Sequence, residues 1–283
     1  MTKYHVYGLG AALVDTEIEV TDNDLEELQI DKGMMTLVDD QRQHQLIDHL
    51  KDHLVASKRA SGGSAANTVI ALSYFGGKSF FSCKVANDDN GLFYLADLQR
   101  ARVDHPHNGD LAEGITGKCL VMITPDAERT MNTYLGVSET VSVNELDHQA
   151  ITDSDFLYIE GYLATSDSGR AAAIAARKHA QQHNTRVAIS LSDPGIVEHF
   201  ETQLRSIVGN QPIDLLFCNE AEAMGWAGKD ELESTVESLK QTAKQFVVTR
   251  GSRGAIVYDG NQQHMIDAQS VTAVDTNGAG DMF

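Results

Sequence analysis

The chain has 283 residues, with 22 Lys+Arg against 41 Asp+Glu and a formal charge of -19 at neutral pH. That length suits one large domain or one with a smaller companion, and 42% apolar residues supply a core, which excludes wholesale disorder. The acidic balance argues against a nucleic-acid partner, since affinity for phosphate backbones comes mainly from Lys and Arg, yet it leaves room for one small anionic ligand at a local site.

In chain order, residues 4–9 read as a first strand ending at Gly8 and Gly10. Asp39 or Asp40 caps a predicted helix with the stripe Leu46, Ile47, Leu50 and Leu54. After Gly62-Gly63, Ser64 caps a second helix that closes at Gly76-Gly77. A strand (79–84) and a helix (90–102) follow. Then come strand 156–160, helix 168–183, strand 186–190, helix 196–208 and strand 213–218. Helix 231–244, strand 246–249 and a hairpin-like pair, 254–258 with 264–268, complete the pattern. Such alternation implies βαβ units and a mainly parallel sheet covered on both faces. Residues 17–20 and 118–135, the latter turning at Pro125-Asp126-Ala127-Glu128, look like strands without an intervening helix. They predict a small β element, interleaved with the main domain, from about 12–38 and 103–136.

Cys83, Cys119 and Cys218 stand far apart in apolar contexts, which favours buried free thiols over disulfides or zinc. The N-terminus lacks the apolar stretch of a signal peptide, and no run of about 18 apolar residues marks a membrane span. A cytoplasmic protein without a membrane partner is the plain expectation. His49 and His53 have metal-binding spacing but lie off the apolar stripe and lack a third ligand, so a solvated helix face is expected.

The strongest chemical signal is Val274-Asp275-Thr276-Asn277-Gly278-Ala279-Gly280-Asp281. Its small residues let backbone N–H groups converge on an anion. An acid directly after such a nest makes sense if Asp281 takes a proton from a nucleophilic hydroxyl while the nest holds a phosphoryl group. In isolation, an ordinary glycine turn capped by Asp is the preferred reading. A second glycine-rich element, Ser61-Gly62-Gly63-Ser64-Ala65-Ala66-Asn67, sits at a loop-to-helix junction and changes that weighting. Together the two elements resemble the paired signatures of the PfkB carbohydrate kinase family, the ribokinase-like kinases that include adenosine kinase. The first signature runs on through Gly76-Gly77, Cys83-Lys84-Val85-Ala86 and Asp88-Asp89-Asn90-Gly91.

The resemblance implies a three-layer αβα sandwich with a mainly parallel central sheet and a small β lid, in a single domain over 1–283. It also implies transfer of the γ-phosphoryl of ATP to a hydroxymethyl group of a sugar or nucleoside. By matching position, Asp281 is the catalytic base, and Gly278, Ala279 and Gly280 form the anion hole. Asp15 grips sugar hydroxyls, with further sugar contacts from Gly62, Gly63 and Asn67. Asn219-Glu220-Ala221-Glu222 matches an N-x-x-E motif, implicating Asn219 and Glu222 with phosphate and magnesium, the metal held through water. Thr249-Arg250-Gly251-Ser252-Arg253-Gly254 matches a loop lining the nucleotide phosphates, implicating Thr249, Arg250, Gly251 and Arg253. Arg129 matches an arginine of adenosine-kinase-like members that approaches the phosphates, as Tyr158-Ile159-Glu160-Gly161-Tyr162 also resembles that branch.

Ordinary alternatives stand beside these roles. Asp15 also fits a solvated loop acid, Asn219 and Glu222 a helix cap, and Arg129 a rim ion pair with Glu128. Arg250 and Arg253 stand out as counter-charges in a chain short of cations. Adenosine or a ribose-type acceptor is favoured, with a hexose or ketose kinase or a non-catalytic binding protein of the same fold as alternatives. A monovalent cation and a homodimer through the lid stay open. A dinucleotide-dependent oxidoreductase is disfavoured, because no G-x-G-x-x-G follows the first strand. Related kinases continue well past the catalytic Asp, so a C-terminally truncated chain is expected.

Overall fold

A computed structural model describes residues 3–51, 58–106, 111–271 and 278–283. His53, Leu54 and Asp275-Thr276-Asn277 of the sequence reading lie outside the described residues. The strands in chain order are β1 (Tyr4–Leu9), β2 (Leu13–Glu19), β3 (Met35–Leu37), β4 (Lys58–Gly62), β5 (Ser79–Ser82), β6 (Val103–Asp104), β7 (Gly117–Ile123), β8 (Arg129–Tyr134), β9 (Ser154–Glu160), β10 (Arg186–Ser190), β11 (Ile213–Asn219), β12 (Ala243–Thr249), β13 (Ala255–Tyr258) and β14 (Gln263–Ile266). The helices are α1 (Asp22–Glu27), α2 (Asp40–His49), α3 (Ser64–Tyr74), α4 (Asp89–Arg100), α5 (His148–Thr152), α6 (Asp167–Gln182), α7 (Pro194–His199), α8 (Glu201–Val208), α9 (Glu220–Ala227) and α10 (Leu232–Leu239).

Nine strands form the main sheet, in the order β14-β13-β12-β11-β10-β9-β1-β5-β6. Every pairing from β12 to β6 is parallel, and β13 and β14 add an antiparallel hairpin at one edge. Alternation along the strands splits the core. Leu157, Ile159, Val187, Ile189 and Leu216 join the cluster that holds α6, α8 and α10, while Tyr158, Ala188 and Phe217 belong with α3 and α4 on the other face. Chain order reverses between β9 and β1, so the carboxyl ends of these strands open on a switch point, where ligands of open α/β sheets bind.

The second sheet has the order β3-β8-β7-β2-β4. Its two faces are unlike. Ile18, Leu120 and Met122 pack against Leu25, Leu28, Leu46 and Leu50 of α1 and α2, while Leu13, Asp15, Cys119 and Thr133 face the main sheet across a cavity.

Several expectations change in detail. Val103–Asp104, counted with the small sheet from sequence, pairs with β5 at the edge of the main one. Lys58–Gly62, which the sequence reading assigns to no element, pairs with β2. Gly63, at φ 98°, is the N-cap of α3, with no side-chain cap, so Ser64 does not cap. The predicted helix 196–208 breaks at Phe200 into α7 and α8. The predicted helix 231–244 ends at Leu239, because Ala243–Thr249 is extended by its parallel pairing with β11, where Lys244 also reaches Asp214 (2.8 Å).

Candidate active site

A cavity of about 280 Å³ opens between the two sheets at the carboxyl ends of β9, β10, β11 and β12. The second sheet contributes Leu13, Asp15, Met35, Leu37, Met131 and Leu135, and the main domain contributes Tyr158, Glu160, Asn219, Glu222 and Thr249. Between them lie Gly63, Ser64 and Asn67 of the α3 entry and Gly278, Gly280 and Asp281 of the C-terminal turn.

Two segments 214 residues apart meet at Asp281. Ser64 Oγ donates to its Oδ1 (2.7 Å), and Asn67 Nδ2 donates to its Oδ2 (2.9 Å). Burial raises the Asp281 pKa, while the Asn67 and Ser64 hydrogen bonds and the Arg129 charge oppose that rise. A Cβ at Gly278 would stand 3.6 Å from Asn67 Nδ2, so the turn lies close against α3. The Met282 N–H donates to the Gly278 carbonyl (3.0 Å), which winds 278–282 into a helical turn.

Asp15 is 7% exposed on β2. A Cβ at Gly62, in the partner strand β4, would overlap its carboxylate, so glycine there makes room for the acid. At Gly63 a Cβ would overlap the Ala11 carbonyl, and the positive φ strains any other residue. Asp15, Gly63, Asn67, Arg129 and Asp281 thus line one cavity, with Gly62 behind Asp15.

Asn219 ends β11 and caps α9 reciprocally with Glu222. The Glu222 N–H donates to Asn219 Oδ1 (2.9 Å), while Asn219 returns its backbone N–H (3.0 Å) and Nδ2 (2.6 Å) to the Glu222 carboxylate. The helix-cap and cavity readings therefore hold together. Burial pushes the Glu222 carboxyl up to about 7, and the charges of Asp193 and Asp281 add to the rise. Asp193 is itself raised by burial, against the N–H groups of Gly195 and Ile196 and the Arg129 charge. A buried acid held this high favours a nearby cation. With both oxygens already accepting from Asn219, contact through water suits it. Among the described residues no group of three or more His, Cys, Asp or Glu converges as a metal cage.

Thr249 lines the cavity, but Arg250, Gly251 and Arg253 are not among its lining residues. Arg250 and Arg253 both turn to Glu220 at the start of α9, with Arg250 Nε 3.7 Å from its carboxylate. Ala279 is exposed and off the lining as well. All three cysteines are buried and free. His49 lies 3.7 Å from Glu27, on the surface.

Glu160 had no role from the sequence, yet it is 1% exposed at the end of β9. Its carboxylate accepts from the N–H groups of Ala11 (2.6 Å) and Ala65 (2.9 Å), tying the β1–β2 loop to the start of α3. Burial pushes its pKa up to about 7, with the Asp281 charge contributing and the two N–H donors opposing. Its signal was an acid closing an apolar run, Phe156-Leu157-Tyr158-Ile159. Ser192 likewise carries no signal in the sequence. It sits at φ 74° and accepts from the Gly161 N–H (2.7 Å), which fixes the chain just after Glu160.

The crevice therefore lies at the switch point of an open α/β sheet, where such folds bind small ligands, with a second sheet above it. The profile of the pfkB family carbohydrate kinases matches residues 28–283, and the chain belongs to that family. The ribokinase of Staphylococcus aureus (strain COL) is 27% identical over 239 residues, covering 81% of this chain and 73% of its own length. Two crystal structures match 99% of the chain at TM-score 0.92 and 29% identity. One is a "probable sugar kinase" from Rhizobium etli CFN 42, covered over 84% of its chain. The other is the adenosine kinase from Sinorhizobium meliloti, covered over 85%. The chain is therefore a phosphotransferase that uses ATP, in a family that normally employs a divalent metal, with a sugar- or nucleoside-type alcohol as acceptor. Among the described residues no helix is long and apolar enough to cross a membrane.

Proposed function

We propose that this kinase phosphorylates the hydroxymethyl group of a nucleoside, adenosine or a close relative, with Asp281 as general base. The observation that carries the acceptor class is the apolar wall of Leu13, Met35, Leu37, Met131 and Leu135 beside Asp15. A free pentose or hexose presents hydroxyls on every side and has no use for such a wall, whereas a planar base buries apolar area there.

In this reading Asp15 grips the ribose hydroxyls and the base lies against the second sheet. The hydroxymethyl oxygen then points at Asp281, whose carboxylate takes its proton as that oxygen attacks the γ-phosphorus. The N–H groups of the turn at Gly278, Ala279 and Gly280 receive the charge on the transferring phosphoryl group, and Arg129 adds positive charge from β8. Thr249 and Asn219 face the nucleotide side, and Glu222 is the residue that would hold Mg²⁺, through water. A divalent ion there would supply positive charge to the phosphates of ATP. Closure of the second sheet over the acceptor excludes water, the competing nucleophile.

The test is an ADP-release assay with adenosine, other nucleosides, ribose and fructose. The expected order places a purine nucleoside first in kcat/KM, and a preference for ribose or fructose refutes the acceptor class. Asp281→Asn should lower kcat by about a hundredfold to ten-thousandfold. Near-normal turnover in that variant removes the base assignment.

A further inference from the structure

Asp281 is held on several sides by a single turn of α3. Besides the bonds from Ser64 and Asn67, Thr68 Oγ1 donates to the Asp281 backbone carbonyl (2.9 Å), sharing its proton with the Ser64 carbonyl (3.1 Å). Residues 64, 67 and 68 share one helix face, at the i, i+3 and i+4 spacing that brings side chains together. A serine at a helix start commonly spends its hydroxyl on the helix's own N–H groups. Here Gly63 occupies the cap position and makes no side-chain bond, so the Ser64 hydroxyl is available to the carboxylate.

We infer that Ser64 and Thr68 are positioning residues for the catalytic base, Ser64 fixing the carboxylate's rotation and Thr68 anchoring its backbone. The inference rests on Asp281 being that base. Two tethers to one rigid helix hold both the side chain and the main chain of residue 281. A carboxylate oxygen accepts more than one hydrogen bond, so Oδ1 keeps a lone pair for the acceptor hydroxyl while Ser64 occupies another. The spacing of base and acceptor is then set by α3, the helix whose entry also carries Gly63 and Asn67 into the cavity.

The charged and titratable groups facing Asp281 are Arg129 from β8, Tyr158 and Glu160 from β9, Tyr162 from the turn after it, and Glu222 from α9. Of these only Arg129 favours the carboxylate form. The Ser64 and Asn67 donors supply the rest of what holds Asp281 ionised against burial. Loss of the Ser64 donor therefore raises the base's pKa and moves the acid limb of the kcat profile to higher pH.

The experiment compares Ser64→Ala, Thr68→Val and Thr68→Ser with Asp281→Asn, each assayed below its melting transition. Ser64→Ala and Thr68→Val should lower kcat by about tenfold to a hundredfold, the cost of a misplaced catalytic group. The acceptor KM should stay within about threefold, because both variants keep the acceptor contacts assigned to Asp15, Gly62, Gly63 and Asn67. Ser64→Ala should also shift the acid limb upward by about half to one pH unit. Thr68→Ser, which keeps the hydroxyl, should restore turnover to within about twofold. An active Asp281→Asn sinks the base reading itself. With Asp281→Asn inactive, a Ser64→Ala profile matching wild type, or Thr68→Ser as impaired as Thr68→Val, overturns this inference and leaves the base reading standing.

Discussion

Replacing Glu160 by Gln keeps the volume of a side chain that is 1% exposed, while removing its charge and one of its acceptors. Burial holds the Glu160 carboxyl at about 7, against 4.5 for an unhindered glutamate. Between those values the folded protein retains a proton that the unfolded chain has released, so stability falls as pH rises. At about 1.4 kcal/mol per pH unit, the interval amounts to about 3 kcal/mol. The amide does not titrate and escapes this loss. Near pH 5 the amide instead leaves the Ala11 or Ala65 N–H without an acceptor, a cost of about 1–3 kcal/mol. The stability difference between variant and wild type should therefore move by about 3 kcal/mol in the variant's favour between about pH 5 and about pH 8. Glu222 is present in both proteins and cancels. Urea unfolding followed by circular dichroism at both pH values measures the difference. A gap that is equal at the two pH values, or that moves against the variant as pH rises, refutes the reasoning.

Gly62→Ala drives a methyl group into the Asp15 carboxylate, so the acceptor KM should rise about tenfold in steady-state assays, with a smaller change in kcat. Glu220→Gln releases Arg250 and Arg253 from their shared carboxylate, and the KM for ATP should fall by about twofold to threefold; a rise would show that Glu220 holds the arginines where they are needed. A protein at -19 repels ATP at long range. Raising tetramethylammonium chloride from about 10 mM to about 150 mM shortens the screening length from about 30 Å to about 8 Å and should raise kcat/KM for ATP. A decrease contradicts that electrostatic reading.

The parallel sheet was legible because each buried strand is an apolar run bounded by glycine or a helix cap, as Phe156-Leu157-Tyr158-Ile159 and Leu215-Leu216-Phe217 illustrate. The strand β4 was not legible, because Lys58-Arg59-Ala60-Ser61-Gly62 has no apolar alternation and is extended through its pairing with β2. Likewise Phe200 interrupts a helical pattern that periodicity alone would continue. At the site, the residues with special backbone demands were readable, Gly62 and Gly63 above all, since glycine at a strand-to-helix corner implies close approach. Partnerships were not. The sequence points to Asn67 as a sugar contact, and its bond to Asp281 joins positions no local pattern connects. The sequence points to Arg250 and Arg253 as phosphate ligands, and only the fold reveals Glu220 as the partner of both. Glu160 was invisible as a tether because its partners are backbone N–H groups, which every sequence has.

The distribution of charge in the cavity follows from competition among its acids. Asp15, Glu160, Glu222 and Asp281 line it, and Arg129 is the one Lys or Arg among the described lining residues. Full ionisation of all four beside a nucleotide carrying several negative charges would be costly in a partly desolvated space. Burial resolves the competition unevenly. Glu160 and Glu222 are both pushed to about 7, and the charge on Asp281 contributes to each rise. Asp281 has two side-chain donors and the Arg129 charge working in the opposite direction. An ionised Asp281 thus favours protons on its neighbours, and protonated neighbours in turn ease the ionisation of Asp281. By the same reciprocity, a divalent cation beside Glu222, as proposed above, would ease the ionisation of Asp281 at a distance, because positive charge there lowers the cost of every carboxylate in the cavity.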